Sequence, residues 1–303
     1  MYDDYPDYYD HIPKDDYQTL GYDGAGVIEE VGQEVSGLKA GDEVYYAGSP
    51  IRHGSNANYQ LVDSRSIAKK PSNLSFAEAA CMPLTWITAY EALVERMVIK
   101  IGEQAAILIV NGAGGVGSVA SQIARTVLEM PVVITTTSRP ETTTFSKEMG
   151  ATHTVNHRED LPSQISKLGL KVPLKYIFLT HSTSNYLGPA TEICAPFGKI
   201  CSIVQTKDFP QYGTAMMAKS LTFVWELLGT KPWYGVDVKS HGAMLEELRG
   251  LLEGGQIKCH HQKSFPLTAN GLREAHEAIE SGGTIGKVGL SVDTVGADAQ
   301  AFS

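Results

Sequence analysis

Residues 111 to 118 read Asn-Gly-Ala-Gly-Gly-Val-Gly-Ser, which places glycines 112, 114 and 117 in the spacing G-x-G-x-x-G. Upstream lies the apolar run Ala105-Ala-Ile-Leu-Ile-Val110, the pattern of a strand buried on both faces. Downstream, Val116, Val119, Ala120, Ile123, Ala124, Val127 and Leu128 share one helical stripe, and a second apolar run, Val132-Val-Ile134, follows. The stretch 105–137 therefore predicts one βαβ unit with the glycines at its first turn, the context that gives the motif its meaning. The three glycines then allow a tight turn, a close approach of backbone to a pyrophosphate, and close helix–strand packing. The helix start offers backbone N–H groups and the positive end of its dipole to phosphates.

A binder of NAD usually carries Asp or Glu at the end of the second strand, where it holds the ribose 2′-OH. Here that strand ends Thr135-Thr-Thr-Ser138-Arg139-Pro140, and an acid comes only at Glu141. A hydroxyl followed by a guanidinium suits a 2′-phosphate, because Arg makes charge-assisted paired hydrogen bonds to phosphate oxygens. The expected cofactor is NADP(H). The alternative is that Arg139 is a solvated loop residue and Glu141 reaches the ribose.

Repeats of the β-α-β pattern continue from residue 105, with strands ending near Val110, Thr137, Asn156, Thr180 and Val204 and a sixth run at Leu221–Trp225. This predicts an α/β fold with a doubly wound, parallel, six-stranded Rossmann sheet. Residues 1 to about 70 have mainly β patterns, including Gly24–Val35, the strand in Lys39–Tyr46, and Ala57–Val62. Ser75 and Glu78 form a capping-box pattern, and Pro83 restarts a second helix. A helix over 239–253 is expected to close the dinucleotide domain, with Met244, Leu245, Leu248, Leu251 and Leu252 on one side. The tail returns to strand, helix and strand, and is expected to pack on the first domain. The expected domains are 1–88 with 258–303, and 89–257.

The 303 residues hold one large core or two ordinary ones. No run of 18 apolar residues occurs, so no membrane span is expected. A net charge of −9 argues against nucleic acid, which wants a basic footprint. Much of that charge is local: residues 1–20 hold six Asp against one Lys, with five tyrosines. The four cysteines are scattered, three of them in apolar surroundings, which fits reduced thiols and a cytoplasmic location. Cys259-His260-His261 is expected to be a solvated strand-edge cluster.

The motifs Gly21-Tyr-Asp-Gly-Ala-Gly26, Gly41-Asp-Glu-Val44, Pro83-Leu-Thr-Trp-Ile-Thr-Ala-Tyr-Glu-Ala-Leu93 and Asn111–Gly117 stand in the order found in a known family. So do Ser138–Thr142, Ala195–Val204, Lys219–Phe223, Leu272–His276 and Ile285–Lys287. Over residues 20–293 the chain resembles the medium-chain dehydrogenase/reductase superfamily, in particular its zinc-less quinone oxidoreductase branch. The resemblance implies a GroES-like β domain interrupted by the dinucleotide domain, and NADPH-dependent reduction of activated C=C bonds in enones or quinones. It further implies that Gly115, Val116 and Gly117 contact the pyrophosphate and that Ser138 and Arg139 take the 2′-phosphate. By the same resemblance, His157 lies against the adenine, and Thr88, Thr180, Ile203 and Val204 lie near the nicotinamide. A homodimer formed through the edge strand near 221–225 is also implied.

Zinc-dependent members carry Gly-His-Glu where this chain has Gly21-Tyr22-Asp23, together with a loop of four close cysteines that is missing here, so no metal is expected. Relatives place several more strands ahead of residue 20, where this chain has Met1-Tyr-Asp-Asp-Tyr-Pro, and an N-terminally shortened GroES-like domain with open sheet edges is expected. The catalytic candidates are Tyr9, about where relatives place a pocket tyrosine, and Tyr46, after the Gly-Asp-Glu-Val strand. For each, the reading as an ordinary packed or surface tyrosine is the favoured alternative. Trp225, Trp233, Tyr234 and His181 are placed to line a cleft or an interface. Three functions stay open: an enone or quinone reductase, a biosynthetic enzyme with altered chemistry on the same scaffold, and a non-catalytic NADPH-binding protein.

Overall fold

The computed structural model describes residues 17–206 and 213–292. By its contacts the chain divides into two units, one of residues 1–87 and 228–303, the other of residues 88–227.

The first unit begins with an antiparallel sheet of β1 (Asp23–Val27), β2 (Glu43–Ala47) and β3 (Ile67–Lys69), in the order β1-β2-β3. Gly24 stands opposite Tyr46, whose ring fills the space a side chain at 24 would take. The Ser75–Glu78 capping box forms as expected and starts helix Phe76–Ala80. Ala57–Val62, expected as a strand, is irregular. Its residues find no partner strand among those described, and Tyr59 and Leu61 stay 78% and 84% exposed. Of the expected meander Gly24–Val35, β1 forms and the chain then turns, with Val35 N donating to Gly32 O at 3.0 Å.

The second unit carries six parallel strands: β4 (Ala106–Val110), β5 (Val132–Thr137), β6 (His153–Asn156), β7 (Leu174–Leu179), β8 (Lys199–Ser202) and β9 (Thr222–Trp225). Their spatial order is β6-β5-β4-β7-β8-β9, the doubly wound order, with its reversal between β4 and β7. Strand alternation sorts the core. Ala106, Leu108 and Val110 join Ile134, Ile177, Leu179 and Ile200 on one face, under helices Leu161–Lys167 and Thr183–Ile193. Each buried Leu or Ile contributes on the order of 2 kcal/mol, and all five β4 residues are buried. Helix Gly115–Gln122 runs on into a π-helical turn, Ile123–Val127, so the stripe predicted from 116 is real but changes its winding midway. Pro83–Tyr90 does the same, passing into a π-helical turn at Glu91–Arg96.

The chain then returns to the first unit with helix Lys239–Glu253, β10 (His261–Pro266), helix Ala269–Glu280 and β11 (Lys287–Ser291); β10 and β11 pair in parallel. Helix Lys239–Glu253 has the expected bounds but a different allegiance. Residues 228–257, expected with the dinucleotide domain, group with the first unit. The reason is a set of long-range bonds: Tyr45 Oη donates to Leu245 O at 2.5 Å and Trp86 Nε1 to Met244 O at 3.0 Å, both buried. His260 is likewise not solvated. It is fully buried, with Nε2 2.8 Å from the Cys81 carbonyl oxygen and 3.3 Å from Thr85 Oγ1. Among the described residues, no helix is long and apolar enough to cross a membrane.

Candidate functional site

The carboxyl ends of β4 to β8 gather the residues singled out in the second unit. At β4 the chain turns through Asn111, which adopts φ +60°, a left-handed conformation that Asn tolerates better than most residues. Asn111 N donates to Thr136 Oγ1 at 2.9 Å, which ties this turn to β5. A Cβ on Gly112 would run into the Thr135 side chain, and one on Gly117 into the Asn111 carbonyl. One on Gly114 would lie 2.6 Å from Asn111 Nδ2. Gly112 and Gly117 are thus required by the close approach of turn, strand and helix, whereas a side chain at 114 would only displace the Asn111 amide. Helix Gly115–Gln122 starts with no side-chain cap, so no side chain of its cap residue covers the amides of Gly115, Val116 and Gly117. An uncapped helix start fed by a glycine turn is suited to an anion. On these grounds the cradle fits a dinucleotide pyrophosphate.

At β5 the half-buried Ser138 leads to Arg139, the residue that caps helix Pro140–Glu148. The turn is pinned from within. Arg139 N donates to Thr142 Oγ1 at 3.2 Å, Thr142 Oγ1 donates to Arg139 O at 2.8 Å, and the Thr137 and Thr143 hydroxyls lie 2.9 Å apart. Arg139 Nε pairs with Glu141 Oε1 at 3.1 Å, so both residues weighed from the sequence meet at one place. At β6, His157 N donates to Thr137 O at 3.2 Å, which sets the residue beside the β5 end. Partial burial and the positive charges of Arg158 and His181 hold the His157 imidazole below its usual value, which favours the neutral ring.

At β7, Thr180 Oγ1 donates to Val110 O at 2.6 Å across the reversal point of the sheet. At β8, Ile203 N donates to Leu179 O at 3.2 Å, and the Val204 carbonyl accepts from Thr183 Oγ1. Thr88 is buried in helix Pro83–Tyr90, where the chain passes from the first unit to the second.

Sequence patterns gave no warning of a carboxyl pair in this unit. Glu226, directly after β9, is fully buried and pairs with Arg96 Nε at 2.9 Å. Burial, then the hydrogen bond and charge of the equally buried Glu91, push the Glu226 carboxyl up to about 9, against the pull of Arg96. Two acids lying so far apart in sequence give no local signal of being neighbours.

The first unit holds the remaining candidates. Tyr46 Oη donates to Gln60 Oε1 at 2.7 Å, and burial, helped by the Asp23 charge, pushes its phenol up to about 12. Tyr46 is therefore a proton-keeping donor already engaged with Gln60. Asp23 is raised by burial, opposed by Lys287 at 4.0 Å and by the Leu84 amide. Tyr9 lies outside the described residues.

A parallel sheet in this order with an anion cradle at its first turn defines the dinucleotide-binding class. Residues 2–91 match the model of the alcohol dehydrogenase GroES-like domain, and residues 149–290 that of zinc-binding dehydrogenases. The chain is similar to a zinc-type alcohol dehydrogenase-like protein of Staphylococcus aureus (strain COL), 39% identical over 282 residues, spanning 91% of this chain and 83% of the relative. It is similar to a 2-methylene-furan-3-one reductase of Solanum lycopersicum, 32% identical over 88% of this chain and 62% of the relative. Among solved structures, a putative zinc-dependent alcohol dehydrogenase protein from Rhizobium etli CFN 42 matches at 38% identity with a TM-score of 0.87, covering 92% of this chain and 82% of that one. The Escherichia coli quinone oxidoreductase complexed with NADPH matches at 25% identity and 0.76, covering 89% and 81%. The chain belongs to the medium-chain dehydrogenase/reductase superfamily, a family of oxidoreductases. The zinc in the family model's description finds no donor set here: among the described residues, no three His, Cys, Asp or Glu side chains are grouped to hold a metal ion.

Proposed function

We propose that the protein is an NADPH-dependent, zinc-independent reductase of activated C=C bonds, in enones or quinones. The observation that carries this reading is the Ser138–Arg139 turn, with no acid at the strand end, beside an uncapped glycine-fed helix. The relatives support it: one is named a 2-methylene-furan-3-one reductase, and a structural neighbour is a quinone oxidoreductase complexed with NADPH. When bound, the nicotinamide supplies the hydride. The work left to the chain is to bind, orient and exclude water. In this reading the amides of Gly115, Val116 and Gly117 hold the pyrophosphate across the turn made by Gly112 and Gly114. Ser138 and Arg139 hold the 2′-phosphate, and the neutral His157 ring lies against the adenine. Thr88, Thr180, Ile203 and Val204 set the nicotinamide. No side chain is assigned as proton donor: Tyr46, the described candidate, has its hydroxyl engaged with Gln60.

Incubation with NADPH and a panel of quinones and enones, followed by absorbance of the reduced coenzyme, tests the proposal. Turnover supports it, whereas tight NADPH binding without consumption would favour a non-catalytic coenzyme-binding protein. The Glu141 carboxylate competes with a 2′-phosphate for Arg139. Glu141→Gln is therefore expected to tighten NADPH roughly two- to fivefold, the scale of an exposed ion pair, with no gain for NADH. Titration calorimetry with both coenzymes reads the difference.

The proposal includes a homodimer through β9. That strand is the sheet's edge in this unit, and Trp225 is 42% exposed, its ring edge-on to Phe223 at 4.9 Å. An exposed edge of this kind is commonly closed by isologous pairing. Trp225→Lys is expected to shift sedimentation from dimer to monomer, and an unchanged dimer would rule out this edge.

A further inference from the structure

The first unit contains a cavity of about 380 Å³ that none of the proposed coenzyme contacts uses. That is near the lower end of the roughly 300–1,000 Å³ typical of small-molecule sites. One side is the loop after β2, from Gly48 to Arg52. Another is helix Thr230–Tyr234, where the Trp233 and Tyr234 rings stack with centroids 6.4 Å apart and 25° between their planes.

Three charged side chains line the cavity: Arg52, Asp63 and Arg65. Arg65 grips Asp63 with both ends of its fork, Nε to Oδ1 at 2.9 Å and Nη2 to Oδ2 at 2.7 Å. This two-point bond neutralises the acid. Arg52 is exposed, and its charge still reaches Asp63, whose carboxyl is held below the usual range by Arg65 first and by Arg52 to a smaller degree. Two guanidinium groups against one carboxylate leave the lining with one positive charge, inside a chain whose net charge is −9. A lining with excess positive charge in an acidic protein draws anions, and stacked aromatic rings favour a flat, conjugated partner.

We propose that this cavity recognises a planar conjugated carbonyl compound bearing a carboxylate, with the carboxylate on Arg52 and the flat body against Trp233 and Tyr234. The assignment rests on the reductase reading and narrows its substrate class to anionic enones.

The probes are benzylideneacetone and its 4-carboxy derivative, the same enone without and with the charge. With full-length protein and NADPH, kcat/KM is expected to favour the carboxylate at least tenfold. Arg52→Ala is expected to reduce that preference to within twofold by raising KM for the carboxylate alone. Tryptophan fluorescence titrated with the carboxylated probe is expected to quench, and to lose most of that quenching in Trp233→Phe. If both enones are reduced equally and Arg52→Ala changes neither, the cavity assignment falls and the reductase reading stands. If neither is reduced but the carboxylated probe binds through Arg52, the cavity stands as an anion site and the reductase reading falls. If there is neither turnover nor charge-selective binding, both fall.

Discussion

Arg139→Ala is expected to weaken NADPH binding roughly 10- to 100-fold while leaving NADH within about twofold. A hydrogen bond to a charged group is worth about 1.5–3 kcal/mol, and each 1.4 kcal/mol is about tenfold. The turn that carries Arg139 is held by the Thr142 hydroxyl on both the Arg139 amide and carbonyl and by the Thr137–Thr143 contact, so the variant is expected to fold while losing the charge. Calorimetric titration of wild type and variant with both coenzymes checks the result. Rising salt should also erode NADPH affinity in the wild type more than in the variant, because an exposed ion contact is screened. Equal losses for NADPH and NADH would overturn the 2′-phosphate assignment.

Stability is expected to fall as pH rises from about 5 to about 9, and Glu226→Gln to flatten that fall. The folded Glu226–Glu91 pair keeps a proton up to about pH 9, while an unfolded glutamate loses it near its ordinary 4.5. The folded state therefore binds more protons across that window. Its stabilisation is complete below 4.5 and is lost as pH rises through 9. One proton is worth at most about 1.4 kcal/mol per pH unit. Across the span from 4.5 to about 9 that sets an upper bound of about 6 kcal/mol, shared by the pair because its two carboxyls titrate together. The groups facing Glu226 are Glu91 and Arg96 from the π-helical turn and Cys201 from β8, whose thiol burial raises well above its usual value. Glutamine keeps the donor and removes the titration. Urea melts at several pH values should then give a nearly level line for the variant, more stable than wild type near pH 8. Parallel curves for the two proteins would show that the pair carries no proton.

The dinucleotide unit was legible because its signals are local. A parallel strand buried on both faces must be a continuous apolar run, as in Ala105–Val110. A glycine spacing between such a run and an amphipathic stripe leaves few alternatives for the backbone. Capping is equally local, and the Ser75–Glu78 box forms where its spacing predicts it. The first unit was less legible. Ala57–Val62 carries a strand's alternation, yet a strand exists only where a neighbour pairs with it, and none of the described residues does. Helix Lys239–Glu253 follows its own periodicity from end to end. Which core it serves is decided by Tyr45 and Trp86, far away in the chain.

The site shows the same division. Gly112, Gly114 and Gly117, Ser138 and Arg139 stand out in sequence because turn geometry and phosphate chemistry demand particular residue types at short spacing. Arg139's contact with Glu141 is half visible in sequence, since both residues lie within reach of the same ribose position. A doubly wound sheet and an anion-ready turn are written into short windows of the chain, since both follow from backbone sterics and hydrophobic period. That Glu226 meets Glu91, that His260 is buried, and that Arg52 and Trp233 share a cavity emerges from the folded chain alone. Charge state, solvation and cavity shape depend on groups brought together across the chain, and no local window carries that information.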